Sequence, residues 1–595
     1  MPFNNFPYTN LNDLNLDWIL KKIKSLESAI SQSGDSPIFR VFKTCEDMKT
    51  EETLTTGEYA ITLGYHEAGD GGAAMYEIAE TGRRFHEAAV NGYANLLDPF
   101  SVKQFGAWGD GVHDDTTALN ALFKWCARCY IPEGYYNFSS TLVLTAENRC
   151  DVELDGKAML IATGADSDYS GGVLINLYGG TGYNPLGIRW NGGVINCNGV
   201  PNVTGVNVPA TAGDFTLIER MFIYDIGNNS IGFKMGKTSG KALIQQLICS
   251  CAGIVYDIND KDSSWSFHFS RDGINRLMRN TIGYYNDEAF DYTIQNIMTL
   301  GTTYGIYSKG GSEIQCDAFW AISDVKEGTK LTAEQYHKTR AFYGVTGNAV
   351  CHWSIDHFYP DDYYIACEAP FFEAKTTHLI CCYPDYVTDE SPVSYLAKPN
   401  KSDGILKFGS LTIDENSGSY MGCLIESPVS PNAATYHKII NSDLLQNDVT
   451  KYHNGFSGRL AGKTLFKDIT FTANTRFIIG YILKQPGGYG EIVFNSSNHF
   501  MTGKVKIKNT NQALVIESAT YSARSSSAGT YKIGIGPQIV NSDEQLAMFP
   551  IFISTTAAHT DTVGMAFNNY IGFVGPWKAN VFDGTPTAEV EFTAE

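Results

Sequence analysis

The stretch Phe105-Gly106-Ala107-Trp108-Gly109-Asp110-Gly111-Val112-His113-Asp114-Asp115-Thr116 is the most informative part of this sequence of 595 residues. Its closely spaced glycines predict a tight turn, because glycine adopts backbone conformations that other residues avoid. Asp114 or Asp115 is well placed to cap the helix that the following residues predict, which runs to about Cys129. We therefore interpret these aspartates as architectural rather than as a metal site or a catalytic pair.

A quasi-repetitive pattern follows from about Leu142 to Tyr386. Two segments, 216–236 and 293–310, share the order strand, short strand, glycine, strand. The better-defined spacings are roughly 20–27 residues, which is about one coil of a parallel β-helix. Each such coil buries one face of its strands and stacks on its neighbours. An ordinary β-sandwich is the alternative, but it does not explain the recurring pattern.

The sequence on either side of the repeat differs from it in character. We predict an N-terminal helical segment at 1–36, a small α+β module at 37–100, a β-helix at 101–400 and an antiparallel β-sandwich at 401–595. The first segment carries the apolar spacing of a short coiled coil, which is marginal without partner helices. A helix packed on its own domain is the alternative. The residues assigned to this seam or to attachment are Leu16, Trp18, Ile19, Ile23, Leu26 and Ile30.

Composition and charge exclude several classes of function. Lys and Arg number 44 against 64 Asp and Glu, and this net charge of −20 disfavours nucleic acid and anionic membranes as partners. No apolar run is long enough to cross a membrane, and the start of the chain lacks the pattern of a secretory signal. The 13 cysteines predict small core residues in a reducing compartment, and Cys126-x-x-Cys129 has no second pair at zinc-ligand spacing. We expect neither a metal nor a cofactor.

Two segments resemble known families. The stretch 105–116, followed by Ile131-Pro132-Glu133-Gly134-Tyr135-Tyr136, resembles the entry motif of the pectate-lyase-like superfamily, which opens a right-handed parallel β-helix. The run from Asn5 to Leu20 resembles the virion-anchoring start of appendage or tailspike proteins from short-tailed phages of Gram-positive bacteria. The small module at 37–100, with its turn Gly69-Asp70-Gly71-Gly72, also resembles the segment that precedes the β-helix in such proteins.

The resemblance implies a partner set and a location. It implies a homotrimer that is made in the host cytoplasm and becomes part of the virion. Its N-terminus would attach to phage tail or collar proteins, and its distal part would bind a host cell-wall or capsular glycan.

Cleavage of a glycan would need two carboxylates about 5–9.5 Å apart. Side chains on adjacent coils stack about 4.8 Å apart, so acids one coil apart can pair. The catalytic candidates are Asp287, Glu288, Asp291 and Asp317, and the glycan-binding candidates are Tyr284, Tyr285, Tyr292, Trp320, Arg271 and Arg276. Asp225 and the patch 356–364 are further candidates.

Three functions remain open at this stage. The chain is a phage appendage that holds a glycan, a tailspike depolymerase that also cuts it by hydrolysis or lyase chemistry, or a free extracellular pectin-type enzyme. The last is disfavoured by the N-terminal anchor and the missing signal. Surface acids that are merely solvated are the alternative to a catalytic cluster. The aromatic residues of the predicted sandwich favour a trimer core over a sugar site.

Overall fold

The computed structural model describes most of the chain between residues 39 and 594. The described ranges are 39–83, 86–145, 150–178, 187–211, 216–237, 241–256, 267–270, 280–311, 313–322, 331–345, 352–361, 363–380, 387–388, 394–399, 405–414, 423–425, 438–441, 456–457, 463–483, 488–496, 501–509, 514–521, 530–537, 539–541, 546–568, 573–574 and 580–594. The predicted N-terminal seam, Arg271 and Arg276 lie outside these ranges. The chain divides into two compact units, Met1–Ile248 with Gly253–Ser270 and Cys249–Ala252 with Arg271–Glu595.

The first unit begins with a small α+β module. Its strands are β1 (Phe39–Phe42), β2 (Tyr59–Thr62), β3 (Ala74–Ala79), β4 (His86–Ala89) and β5 (Gly92–Leu96), and its helix is α1 (Cys45–Lys49). The five strands form one sheet in the order β1-β2-β3-β5-β4, parallel between β1 and β2 and antiparallel elsewhere. Helix α1 starts where Thr44 and Asp47 cap each other's backbone N–H groups.

The glycine-rich stretch connects this module to the parallel sheets. A short 3₁₀ helix, Val102–Phe105, ends at Gly106, whose φ of 86° lies in the left-handed region. A Cβ there would lie 2.6 Å from the ring of Tyr65, so both the backbone and the packing require glycine. Helix α2 (Thr116–Trp125) follows, and it ends earlier than predicted because Cys126 is already extended and the next strand begins at Arg128.

The rest of the first unit consists mainly of parallel strands. They are β6 (Asp110–Asp114), β7 (Arg128–Ile131), β8 (Gly134–Phe138), β9 (Leu142–Val143), β10 (Cys150–Leu154), β11 (Ala158–Ala162), β12 (Val173–Asn176), β13 (Ile188–Asn196), β14 (Thr204–Val208), β15 (Leu217–Tyr224), β16 (Ile231–Met235), β17 (Leu243–Ser250), β18 (Gly253–Tyr256) and β19 (Phe267–Ser270). One sheet runs β17-β15-β13-β11-β8-β6 and the other runs β16-β14-β12-β9. Strand β10 pairs in parallel with β13 and β7, and β18 pairs antiparallel with β19.

The second unit has the same kind of arrangement. Its strands are β20 (Ile282–Asn286), β21 (Thr293–Leu300), β22 (Tyr304–Ser308), β23 (Ile314–Ile322), β24 (Leu331–Thr332), β25 (Arg340–Gly344), β26 (His352–Asp361), β27 (Ile365–Ala369), β28 (Phe371–Ile380), β29 (Val387–Thr388), β30 (Ser394–Pro399), β31 (Ile405–Asp414), β32 (Cys423–Ile425), β33 (Lys438–Asn441) and β34 (Phe456–Ser457). One sheet runs β34-β33-β31-β28-β26-β23-β21 and the other β32-β30-β27-β25-β22-β20. Strands β24 and β29 form a separate parallel pair.

Alternation between two parallel sheets defines a parallel β-helix and confirms the prediction of a parallel β-helix in a mostly β chain. The predicted coil length holds in places, since Ile294 pairs with Cys316, 22 residues further on. It is too short elsewhere, because Cys316 pairs with Ile355 across a coil that also contains β24 and helix α3 (Ala333–Tyr336). Parallel pairing also extends to Phe456–Ser457, beyond the boundary predicted at residue 400.

The remaining strands form two further sheets. They are β35 (Lys463–Phe471), β36 (Phe477–Leu483), β37 (Gly488–Ser496), β38 (Met501–Asn509), β39 (Leu514–Tyr521), β40 (Tyr531–Ile535), β41 (Ile539–Asn541), β42 (Leu546–Thr555), β43 (His559–Asn568), β44 (Phe573–Val574), β45 (Asn580–Val581), β46 (Ala588–Glu591) and β47 (Thr593–Ala594). One sheet runs β35-β43-β37-β38-β39-β47, and the other runs β44-β36-β42-β40-β46 with β41 beside β42 and β45 beside β36. The pairings are antiparallel apart from β39 with β47. A sandwich of these sheets stays a prediction.

Nine of the cysteines are core residues, as predicted. They are Cys45, Cys126, Cys129, Cys150, Cys197, Cys249, Cys251, Cys316 and Cys367, all buried and without a disulfide. Burial raises the pKa of the Cys126 thiol to about 12, so this side chain is a neutral packing group at physiological pH. Within the same ranges, no helix combines the length and the apolar character needed to cross a membrane.

Candidate functional site

The long strands of the β-helix share a bend at which two consecutive residues lie away from the core. Strands β15 and β17 have the same burial pattern, and β21, β23 and β26 repeat its central part. Side chains in a regular strand alternate between faces, so two adjacent outward residues mark a bend. In the second unit these positions align across coils and form what we call the bend row. Its members are Gln295, Asn296, Asp317, Ala318, Asp356, His357, Lys375 and Thr376.

Three charged side chains of the bend row lie on successive coils. Cys316 pairs with Ile355 and Ala318 pairs with His357, so Asp317 lies opposite Asp356. The strand spacing puts the backbones of the two aspartates about 4.8 Å apart. The Lys375 ammonium lies 2.6 Å from Asp356 Oδ1. The hydrogen bond and the charge of Asp356 raise the pKa of Lys375, with smaller contributions from Asp317 and Glu373. The row therefore presents two carboxylates and one ammonium to solvent.

An aromatic group lies beside these charges. The Trp320 side chain is 37% exposed, and its ring centroid lies 4.5 Å from that of Tyr359, its register partner on the next coil. The ring of His378 meets Tyr359 edge-on at 4.9 Å. Trp320 and Tyr359 each follow an aspartate of the bend row by three residues. The outward side of the bend thus combines an apolar platform with charged hydrogen-bonding groups.

The structure does not bring the four predicted catalytic acids together. Asp287 and Glu288 both contact the Lys309 ammonium, at 3.0 and 3.8 Å, in the turn after β20. Asp291 lies two residues before Thr293, whose partner Gln315 lies two residues before Asp317. Asp291 therefore lies before the start of β21, four residues ahead of the position opposite Asp317. The pairing of this turn with Asp317 stays a prediction.

Two of the predicted sugar platforms lie in the core, which corrects that prediction. Tyr284 and Tyr292 are fully or almost fully buried, and the Tyr284 hydroxyl donates a 2.8 Å hydrogen bond to the Tyr292 hydroxyl. The Tyr292 hydroxyl in turn donates to Asn286 Oδ1 at 3.3 Å. Both rings meet the buried Trp353 edge-on. Burial raises the pKa of Tyr284, and neither ring can stack on a ligand.

Tyr285, the remaining tyrosine candidate, belongs to a row on the other sheet. It pairs in register with Tyr307, and Tyr307 pairs with Tyr343. The ring centroids lie 5.4 and 5.0 Å apart, and Tyr304 packs edge-on against both Tyr307 and Tyr343. The nearly parallel rings of Tyr285 and Tyr307 cover each other's faces. Tyr285 is half-buried in this row, and its role as a sugar contact stays a prediction.

The further candidate patch, 356–364, is divided by the structure. Asp356, His357 and Tyr359 lie on the outward side with Trp320, whereas Tyr363 and Tyr364 are buried. Sequence reasoning missed Lys375, although it follows Asp356 by 19 residues, the spacing that separates Ile355 from its partner Ala374. Within the described ranges, no three His, Cys, Asp or Glu side chains converge as metal ligands.

Solved structures with a similar course of the chain include phage tailspike proteins. WceF of Pantoea stewartii, described as a glycan biofilm modifying enzyme with a tailspike-like parallel β-helix fold, shares 11% identity over 93% of this chain and 74% of its own, with a TM-score of 0.36. The tailspike of Acinetobacter phage vB_ApiP_P1 shares 10% identity over 92% of this chain and 100% of its own, with a TM-score of 0.28.

A third similar structure is the tailspike gp49 of Acinetobacter baumannii bacteriophage Fri1, described as a capsular polysaccharide depolymerase. It shares 10% identity over 91% of this chain and 99% of its own, with a TM-score of 0.27. No protein-family model and no curated sequence matches this chain. The assignment of a parallel β-helix rests on the strand pairing described above.

Proposed function

We propose that this chain is a phage tailspike or appendage protein whose β-helix binds a host-surface glycan along the bend row. The observation that carries the proposal is the Trp320–Tyr359 pair, in which the Trp320 ring is exposed, beside Asp317, Asp356 and Lys375. An aromatic surface matches the C–H faces of sugar rings, and charged groups beside it hydrogen-bond to hydroxyls. The resemblance of the N-terminal run supports the phage assignment, attachment to tail or collar proteins, a Gram-positive host and a homotrimer.

Binding without cleavage is the form of this function that the charges favour. The Lys375 ammonium lies 2.6 Å from Asp356 Oδ1, so this carboxylate is engaged in an ion pair with a cation. Glycoside hydrolysis requires one acid in surroundings that favour its neutral form, because that acid must donate a proton. Asp356 is instead exposed and lies against an ammonium. We therefore propose adhesion as the principal role.

A depolymerase is the second candidate, and one observation favours it. Asp317 and Asp356 occupy adjacent strands in the same register, and the strand spacing of about 4.8 Å is near the carboxyl separation of retaining glycosidases. In this reading, the predicted catalytic residue Asp317 would act with Asp356 rather than with Asp287, Glu288 or Asp291.

One experiment separates the two candidates. The full-length protein is incubated with surface polysaccharide from candidate hosts, and binding, reducing ends and polymer length are followed together. Saturable binding with unchanged polymer length supports adhesion. Shortening that Asp317→Asn and Asp356→Asn each abolish supports the depolymerase. Saturable binding that Trp320→Ala leaves unchanged would place the glycan elsewhere and overturn the assignment of this face.

The proposed trimer has its own test. The chain mass is 65.4 kDa, so the mass of the assembly in solution should be three times that value. Light scattering coupled to size exclusion measures it directly. A monomeric mass at micromolar concentration would contradict this part of the proposal.

A further inference from the structure

The charges of the bend row are not balanced. The Lys375 ammonium is engaged by Asp356, whose Oδ1 lies 2.6 Å away. Asp317 is exposed, and its carboxylate has neither a hydrogen bond nor an ion pair of its own within the part of the chain that the structure describes. Glu373 and Lys407 occupy paired positions on β28 and β31, so together they add no net charge. One carboxylate of the row is therefore left without a cation.

The immediate neighbours of Asp317 do not supply that cation. The register places the neutral amide of Gln295 opposite it on the preceding coil and Asp356 opposite it on the following coil. Burial raises the pKa of the Cys316 thiol, and the charge of Asp317 adds to this effect. The negative charge of Asp317 therefore acts on the core beneath the bend, as expected of a carboxylate that no contacting cation neutralises.

An aromatic surface lies three residues along the strand from this carboxylate. The Trp320 side chain is 37% exposed, and its ring centroid lies 4.5 Å from that of Tyr359. Three strand positions span at most about 10 Å. The face of an indole or phenol ring attracts cations, because its π-electrons make that face negative. A carboxylate and two aromatic rings within reach of one ligand favour a ligand with a positive charge.

We propose that the glycan bound along the bend row carries free, protonated amino groups, one of which pairs with the Asp317 carboxylate while a neighbouring sugar ring lies on Trp320. This inference rests on the proposed glycan-binding function and specifies its ligand. An ammonium has three N–H donors and supplies the missing cation. An acidic polymer would instead be repelled by Asp317 and by a chain with a net charge of −20.

Two oligosaccharides that differ only in whether their amines are acetylated provide the test. Binding of a glucosamine hexamer and of its fully N-acetylated form to the full-length protein is measured by calorimetry near neutral pH. Acetylation converts each basic amine into a neutral amide. We expect the glucosamine hexamer to bind about tenfold more tightly, and only its affinity should fall as the salt concentration rises.

Three single substitutions test whether the effect belongs to the bend row. Asp317→Asn keeps the size of the side chain and removes its charge, so it should weaken binding of the glucosamine hexamer about fivefold and spare the N-acetylated form. Lys375→Gln releases Asp356 from its ion pair and should strengthen binding of the glucosamine hexamer about threefold. A purely structural role predicts no such gain. The control is Asp583→Asn, which removes an exposed carboxylate before β46 and should change neither affinity.

Surface polysaccharide from the host extends the test to a natural ligand. Treatment with acetic anhydride acylates its amines without shortening the polymer, and we expect this treatment to weaken binding. Mild alkali cleaves esters and leaves amino sugars in place. A loss of binding after alkali therefore assigns the amines to ester-linked substituents, and a loss after acetylation alone assigns them to amino sugars.

The outcomes separate this inference from the proposed function. Polysaccharide binding that survives acetylation but is weakened by Trp320→Ala would overturn the inference and keep the proposed site. Binding that Trp320→Ala leaves unchanged would overturn the proposed site itself. Measurable but equal affinities for the two hexamers, or equal effects of Asp317→Asn and Asp583→Asn, would also overturn the inference. If neither hexamer binds, the acetylated polysaccharide decides.

Discussion

Trp320 and Tyr359 occupy the same register position on successive coils, and their ring centroids lie 4.5 Å apart. Neither ring is needed to fill the interior, because Phe319 and Phe358 already occupy the core positions next to them. The outward pair can therefore be changed without opening a cavity. This independence allows effects on ligand binding to be separated from effects on folding.

Replacing Trp320 with alanine should weaken glycan binding. Buried aromatic anchors at binding surfaces typically contribute about 2 kcal/mol, so we expect roughly a thirtyfold rise in Kd and little change in Tm. Titration of the full-length protein against the host polysaccharide measures the Kd. The control is Tyr93→Ala, a similarly exposed aromatic in the N-terminal module. Equal affinities for Trp320→Ala and Tyr93→Ala would contradict the site.

Removing a hydroxyl from the buried tyrosine pair should lower stability and leave binding intact. Tyr292→Phe leaves the Tyr284 hydroxyl without the acceptor that lies 2.8 Å away. A buried polar group that loses its partner costs about 1–3 kcal/mol. Thermal unfolding and polysaccharide binding are measured on the same preparation. Tyr93→Phe serves as the exposed control, and a loss of binding at full stability would restore Tyr292 as a candidate sugar contact.

Stability at the β-helix entry should increase as the pH falls from 7 to 4. Burial raises the pKa of Asp115 to about 6, above the ordinary value of about 3.9, so its ionisation opposes folding. The effect begins as the pH falls below about 7, is complete near pH 4, and is of the order of 3 kcal/mol. Asp115→Asn should flatten this dependence in thermal unfolding followed at Trp108.

The contribution of Asp110 to stability should have the opposite pH dependence. Burial alone would raise its pKa, but the N–H groups of His113 and Val112 and the ring of His113 outweigh that effect and lower it to about 2. The stability that Asp110 contributes is therefore lost below about pH 4, as the pH falls towards 2. Asp110→Asn should lower stability at neutral pH. A pH profile in which the Asp110 and Asp115 variants behave alike would contradict both assignments.

The ion pair between Arg340 and Glu368 should contribute more than its surface counterparts. Its atoms lie 2.6 Å apart, and both side chains are largely shielded from solvent. Arg340→Ala leaves the carboxylate partly buried without its cation, so we expect a loss of about 2–3 kcal/mol. The exposed pair Lys338–Glu334 is the control, and Lys338→Ala should cost much less stability. Similar losses of stability for the two variants would show that burial does not determine how much these ion pairs contribute.

The sequence predicts the fold at places where backbone geometry limits the choice of residue. The glycine-rich stretch marks the entry because Gly106 and Gly109 adopt left-handed conformations against the rings of Tyr65 and Tyr136. Repetition of a buried–outward pattern then predicts stacked coils. The lengths of the coils were less predictable, because insertions such as the one that carries α3 change the spacing without changing the pairing.

The candidate site was harder to predict, because the two faces of a strand differ by a single position. Tyr284 lies in the core and Tyr285 outside it, although they are neighbours in the same aromatic cluster of sequence. If the alternation of inward and outward positions along the strand is assigned one residue out of place, the buried and outward positions of Tyr284 and Tyr285 are exchanged. Likewise, Asp317 meets Asp356 through register across a coil of 39 residues, a distance that no local pattern reveals.

The side chains of the bend row can change without changing the fold, so ligand binding can change independently of the scaffold. At each bend two neighbouring side chains are released from the packing that constrains the residues on either side, so substitutions there have little effect on the core. Successive coils add such pairs along the strand-stacking direction. Under the proposed glycan-binding function, exchange of these pairs coil by coil changes the target while the scaffold stays the same. A protein engineer could use the same positions to design new specificities.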